Sequence, residues 1–283
     1  RDRGTSGRNP ITFDNWNNSK ILAYWKYDDA TKLGKDSHSW LGRLNNIRTA
    51  LQGQQGDRRL RLGIAGGEWK KMMADATART RFASEVKKII EQYEFDGVDF
   101  DFEWPANASE YNNYSATVIQ MRSTLGKYVY FTASLHPVSF KISPEAIDAL
   151  DFISYQCYGP AVMRFPYEQF VKDGEAAVAY GIPKNKLVMG VPFYGSTGSL
   201  IAAYCDFVND GLATTNEDTY TYKGNTYTFN SIETIRKKAR YVCEEDYAGI
   251  MSWDLATDID ITNNKSLLKV IKEEFEYYAN PTE

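Results

Sequence analysis

Short apolar runs alternating with stretches of helical period constrain this 283-residue chain more than any other feature. Runs of β-branched, apolar and aromatic residues bounded by turn residues recur at Lys20 to Tyr27, Leu60 to Ala65, Phe95 to Phe102, Tyr128 to Leu135, Leu150 to Tyr158, Lys186 to Tyr194 and Ala248 to Leu255. They predict seven strands. Between them, Trp40, Leu44, Ile47 and Leu51, then Phe82, Val86, Ile89, Ile90 and Tyr93, then Tyr111, Tyr114, Val118, Met121 and Leu125 follow the 3.6-residue period of amphipathic helices. Ser143-Pro144 predicts a capped helix start, Gly181 and Pro183 stop a helix ending near Tyr180, and two more helices are expected over 231–243 and 266–278.

Strand, helix, strand repeated in this way requires a parallel sheet with right-handed crossovers, open or closed. No Gly-x-Gly-x-x-Gly opens a helix after a strand, so the dinucleotide-binding open sheet lacks its fingerprint. The expected fold class is α/β, a (β/α)8 barrel forming one domain over residues 1–283. An eighth strand has to come from the first twenty residues, where only Pro10 to Phe13 looks extended, so the first strand is expected to be atypical or incomplete. Tyr220 to Phe229 alternates around Lys223-Gly224-Asn225 and reads as a small hairpin, an insertion at about 196–230 before the last strand.

One strand differs from the rest. In Asp96-Gly97-Val98-Asp99-Phe100-Asp101-Phe102-Glu103-Trp104-Pro105 carboxylates alternate with apolar residues. Because side chains alternate faces along a strand, Asp99, Asp101 and Glu103 share one side and Val98, Phe100 and Phe102 the other. Same-face neighbours lie about 6 to 7 Å apart, close enough for successive carboxyls to couple through a hydrogen bond. On a buried face, like charge and desolvation both favour keeping a proton in the group, the condition for a carboxylic acid that donates near neutral pH. The pattern also fits a half-exposed antiparallel strand with its charges in water. The other candidate strands, however, read as apolar on both faces, which favours a buried ladder whose last acid, Glu103, stands at the carboxyl end where barrel enzymes do their chemistry. A metal site is the remaining alternative, but the chain has only His38 and His136 and no calcium-loop pattern, so no metal or other cofactor is expected. Ser-His-Asp and Cys-His schemes lack a Gly-x-Ser-x-Gly elbow or a cysteine in a recognisable setting.

Composition narrows the partner. A formal charge of −4 gives no basic field for nucleic acid, whereas 20 Tyr and 6 Trp supply the flat faces and hydroxyls that suit a sugar. Cys157, Cys205 and Cys243 are odd in number and have no metal-ligand spacing, so they are expected to be buried thiols. No apolar run of about 18 residues is present, so membrane insertion is not expected. The first residue is Arg, as in a processed or trimmed chain, and Asn-x-Ser triplets at Asn17, Asn107, Asn113 and Asn264 fit a secreted or extracytoplasmic address.

Asp96, Asp99, Asp101 and Glu103 together resemble the Asp-x-x-Asp-x-Asp-x-Glu signature of glycoside hydrolase family 18. In order along the chain, Ile64-Ala65-Gly66-Gly67 resembles the family's Ser-x-Gly-Gly turn with Ile64 where serine is usual, and Gln156-Cys157-Tyr158 resembles its Met-x-Tyr. Gly190 to Gly195 and Gly249 to Asp254 are similar to its seventh and eighth strands. The resemblance implies substrate-assisted retention on β-1,4-linked N-acetylglucosamine polymers, with Glu103 as proton donor and the substrate's acetamido oxygen as nucleophile. It further implies that Asp101 orients the acetamido group, Asp99 shares a proton with Asp101, Tyr158 hydrogen-bonds the acetamido oxygen, and Trp253 stacks under the sugar, with Gln156, Tyr194 and Trp104 also binding substrate. Gly159 departs from the aspartate that commonly follows the tyrosine, and only 52 residues separate Gly195 from Ala248, which implies an open groove and internal cutting. Two other functions share this signature or barrel: an endo-β-N-acetylglucosaminidase acting on the chitobiose core of N-glycans, and an inactive sugar-binding lectin.

Overall fold

The computed structural model describes residues 44–280 except 46, 50, 51, 53–58, 67, 68, 160 and 213–215. The strand expected at Lys20 to Tyr27, the stretch Pro10 to Phe13, His38 and the Asn17 triplet lie outside the described residues. So do Trp40 and Leu51 of the first helical stretch, of which residues 44, 45 and 47–49 are helical. The chain divides into two compact units, one of residues 1–132 with 145–150 and one of residues 133–144 with 151–283.

In the first unit, β1 (Arg61–Gly66) pairs in parallel with β2 (Gly97–Phe102), in register from Arg61 opposite Gly97 to Gly66 opposite Phe102. The crossover contains α1 (Lys70–Ala74) and α2 (Ala76–Gln92), and α3 (Ala108–Leu125) follows β2. Helix α2 starts where Asp75 accepts a hydrogen bond from the Ala78 N–H at 2.7 Å, and its periodic Phe82, Val86, Ile89 and Ile90 are buried. Helix α3 has a reciprocal cap: Asn107 accepts from the Glu110 N–H at 3.0 Å, while Glu110 accepts from the Ala106 N–H at 2.8 Å. That backbone donor, more than the nearby Lys70, holds the Glu110 carboxyl below its usual range. The helix ends at Gly126, whose φ of 81° suits a residue without a Cβ. Strand β2 begins two residues later than the apolar run suggested, because the Phe95 N–H still bonds the Ile90 carbonyl behind α2.

Strand β3 (Tyr130–Leu135) starts in the first unit and ends in the second, and α4 (Pro144–Ala149) starts at the expected Ser143-Pro144. In the second unit β5 (Leu187–Pro192) is paired in parallel with β4 (Phe152–Tyr155) on one side and β10 (Gly249–Trp253) on the other. Helices α5 (Tyr167–Tyr180), α7 (Ile232–Glu244) and α8 (Leu267–Ala279) accompany these strands. Helix α5 stops at Gly181 with φ 115°, and Ser231 and Ser266 cap α7 and α8.

Four expectations need amendment. The run Lys186 to Tyr194 is two strands, because the chain changes partner at Phe193: its N–H bonds the Trp253 carbonyl of β10, while its own carbonyl accepts from Tyr204. From there β6 (Tyr194–Ser196) enters an antiparallel sheet of order β7 (Ile201–Ala203), β6, β9 (Asn225–Thr228), β8 (Thr219–Tyr222), closed over by α6 (Tyr204–Asn209). The expected hairpin is thus half of a four-stranded sheet that begins at Tyr194 rather than near 196, and buried Phe207 stacks with Tyr220, Tyr222, Tyr227 and Phe229 beneath it. The strands are not apolar on both faces either: Thr132, Ser134 and Ser154 are buried on β3 and β4. All three cysteines are thiols, but only Cys157 is buried, with Cys205 and Cys243 half-buried.

Candidate active site

The two faces of β2 separate as alternation requires. Val98, Phe100 and Phe102 are fully buried, with Phe100 against Phe82 of α2 and Tyr114 of α3, and Phe102 against Tyr114. With that face committed to the helices, Asp99, Asp101 and Glu103 are turned to the other. They form a gradient of exposure: Asp101 is 9% exposed, Asp99 is half-buried, and Glu103 is exposed one residue past the strand end. Trp104 is half-buried behind it, and the Glu103–Trp104 peptide is cis.

Asp96, the first acid of the signature, serves the backbone. Its carboxylate accepts from the Leu60 N–H at 2.6 Å while its own N–H bonds the Leu60 carbonyl at 2.8 Å, clamping the entry of β1 to β2. Asp99 is held by neighbours on both sides: Thr132 of β3 donates to its Oδ1 at 2.5 Å, and the Arg61 guanidinium of β1 lies 3.5 Å from the same oxygen. Opposite Asp99 and Asp101, β1 carries Gly63 and Ala65, which leave the acid face uncrowded. On the helix side, burial first and then the charges of Asp101 and Asp99 push the Tyr114 hydroxyl far up; it donates to the Phe100 carbonyl at 3.0 Å.

In the second unit, Tyr158 and Gln156 are both buried in the segment after β4, with the Gln156 N–H bonded to the Leu135 carbonyl at 2.8 Å. The Tyr158 ring meets Tyr194 edge-on at 6.3 Å between centroids, and its hydroxyl lies 3.5 Å from the Met251 sulfur. Met251 and Trp253 are two apart on β10 and so share a face. The Trp253–Asp254 peptide is cis, and Trp253 is half-buried. Burial pushes the Tyr194 hydroxyl up to about 12, so it remains a donor at neutral pH. Gly159 has φ 31°, and a Cβ there would stand 2.8 Å from the Tyr194 hydroxyl, so Tyr194 occupies the place a side chain at 159 would need.

Sequence reasoning used His136 only to argue against metals and nucleophiles. In the structure it is buried: Nδ1 accepts from the Val138 N–H at 3.2 Å, so Nε2 carries the proton and donates to the carbonyls of Tyr158 at 3.0 Å and Gly159 at 2.5 Å. Burial lowers its pKa, against the opposing pull of those carbonyls, and keeps it neutral. Its place at a strand end, directly before Pro137, was the available signal. Among the described residues no group of three His, Cys, Asp or Glu is placed to hold a metal ion, and no helix is long and apolar enough to cross a membrane.

The family described as Glycosyl hydrolases family 18 matches residues 11–258. The chain belongs to glycosyl hydrolase family 18. Its curated relatives include the probable chitinase 2 of Drosophila melanogaster, 23% identical over 77% of this chain and 60% of that protein, and the class V chitinase of Arabidopsis thaliana, 24% identical over 70% and 69%. The chain therefore spans about three fifths of the length of the fly relative. Among solved structures it is similar to the GH18 chitinase ChiB from the chitin utilization locus of Flavobacterium johnsoniae, at TM-score 0.69 and 25% identity over 82% of this chain and 79% of that one. It is also similar in fold to a chitinase from Bacteroides thetaiotaomicron, at TM-score 0.71 and 23% identity over 83% and 81%. The fold class is the α/β barrel of the family, the closed one of the two parallel-sheet arrangements that strand–helix alternation left open, and the chain is a chitinase-like family 18 member.

Proposed function

We propose that the protein hydrolyses β-1,4 linkages between N-acetylglucosamine units by a retaining, substrate-assisted mechanism with Glu103 as general acid and base. The observation that carries this reading is the acid face of β2, on which a buried Asp101 precedes an exposed Glu103 at the carboxyl end of the strand. An acid that must both reach a glycosidic oxygen and recover its proton from the attacking water needs this exposed position, whereas an electrostatic stabiliser works best sheltered from solvent. Glu103 protonates the leaving oxygen as the acetamido oxygen attacks the anomeric carbon; water then opens the cyclic intermediate with Glu103 as base. Asp101 accepts from the acetamido N–H and stabilises the positive charge of the intermediate, and Asp99 shares a proton with Asp101. Tyr158 donates to the acetamido oxygen, Trp253 stacks under the sugar, and Gln156, Tyr194 and Trp104 also bind substrate. Chitinase relatives and the absence of a basic field support a neutral N-acetylglucosamine polymer as substrate, and a secreted address follows from such a substrate.

Glu103→Gln keeps size and hydrogen bonding but cannot donate a carboxylic proton, so turnover of chitin oligosaccharides is expected to fall by about a thousandfold while calorimetric binding persists. Near-wild-type turnover of this variant refutes the assignment. A parallel assay on a high-mannose glycoprotein separates chitin from the chitobiose core of N-glycans: activity on the glycoprotein alone overturns the chitinase reading.

A further inference from the structure

Arg61, Gly63 and Ala65 share one face of β1, in register with Gly97, Asp99 and Asp101 of β2. Glycine at 63 leaves the Arg61 side chain room to reach Asp99, and on the far side of β2 the fully buried Thr132 reaches the same carboxylate from β3. Arg61 also bonds Thr132 directly. A guanidinium can only donate, so the Thr132 oxygen is the acceptor there, and its single proton must go elsewhere. Two acceptors are in reach, the Val98 carbonyl at 3.4 Å and Asp99 Oδ1 at 2.5 Å; the shorter, charge-assisted bond takes the proton. The chain Arg61 to Thr132 to Asp99 therefore has one polarity, and its terminus is a fixed oxygen of Asp99.

We propose that Arg61 and Thr132 are positioning residues for the reaction, a one-way hydrogen-bond chain that locks the Asp99 carboxylate by its Oδ1 and so reserves Oδ2 for the proton shared with Asp101. This rests on the mechanism proposed above, in which that sharing lets Asp101 respond to charge on the intermediate. Without the chain, Asp99 rotates between settings of which only one exchanges a proton with Asp101, and the loss falls on the chemical step rather than on binding.

The test uses Thr132→Val, which keeps shape and removes the hydroxyl, beside Thr132→Ser, which restores it. On a chitin oligosaccharide, Thr132→Val is expected to lower kcat about 10- to 100-fold with KM within about twofold, and Thr132→Ser to recover most of that loss. A valine variant with wild-type kcat, or a serine variant as impaired as the valine one, overturns the proposal. A second measurement does not need catalysis: the carboxyl carbon-13 resonance of Asp99 should move in Thr132→Val and in Arg61→Met but return in Thr132→Ser. An unmoved resonance refutes the chain whatever the activity, whereas a wild-type protein inert on chitin with a shifted resonance refutes the proposed function and leaves the chain standing.

Discussion

Lys238 of α7 is fully buried, its Nζ donating to the Phe165 carbonyl and to Asn230 Oδ1, both at 2.7 Å, and lying 4.9 Å from the centre of the Phe170 ring. Burial pushes its pKa from 10.5 down to about 7, against the smaller opposing pulls of Cys157, Asp218, Asp173 and Glu168. A folded pKa below the unfolded one means that the unfolded chain binds the proton more tightly. The penalty is absent above pH 10.5, grows as pH falls, and levels off below about 7. Integrated over that window, the cost of Lys238 is about 1 kcal/mol at pH 9.5 and rises by about a further 3 kcal/mol on going to pH 6.5. Lys238→Met removes this dependence. The Phe165 carbonyl keeps its bond from Asn230 Nδ2 at 2.8 Å, so the main loss is the donor to Asn230 Oδ1, about 1 to 3 kcal/mol at every pH. Urea unfolding of both proteins at intervals from pH 6.5 to 9.5 reads the difference directly, with the other titrating groups cancelling between them. The variant should gain on the wild type by about 3 kcal/mol as pH falls across this range. Parallel stability curves, offset by a constant, refute the reasoning.

Gly97→Ala should destabilise the fold by about 3 kcal/mol or more, read as a lower thermal midpoint, because the new Cβ would stand 1.9 Å from the Tyr130 carbonyl oxygen, which is backbone and cannot rotate away. An unchanged midpoint contradicts that clash. His136 has a folded pKa below its ordinary 6.5, so the stability it supports is full above pH 6.5 and declines as pH falls through the folded value. His136→Gln, which still donates to a carbonyl but does not titrate, should lessen acid unfolding below pH 6.5; an acid transition identical to wild type would rule His136 out as its source.

The features legible in the sequence are those fixed by local chemistry. The helix start at Ser143-Pro144 and the helix stop at Gly181 need nothing beyond the adjacent turn, and the acid face of β2 follows from the two-residue period alone. What escaped is set by partners distant in sequence. Nothing in the run Lys186 to Tyr194 marks Phe193 as the point where β10 is exchanged for the segment at Tyr204. Lys238 stands in the sequence Arg236-Lys237-Lys238-Ala239-Arg240, which reads as a solvated helix face, yet its ammonium is buried because Phe165 and Asn230 supply acceptors from elsewhere. Thr132 lies in the run Tyr128 to Leu135, which reads only as an apolar strand, and becomes meaningful only with Arg61 and Asp99 beside it.

The exchange at Phe193 also says where this molecule tolerates remodelling. One buried residue gives its amide to the strand that ends in Trp253 and its carbonyl to the start of α6, so the small antiparallel sheet is welded to its neighbour without a hinge. Length can be added or trimmed at the exposed Lys223-Gly224 tip, where nothing crowds the backbone, whereas a change at the weld displaces Tyr194 and Trp253 together. Insertions should be grafted at the tip and leave the weld intact.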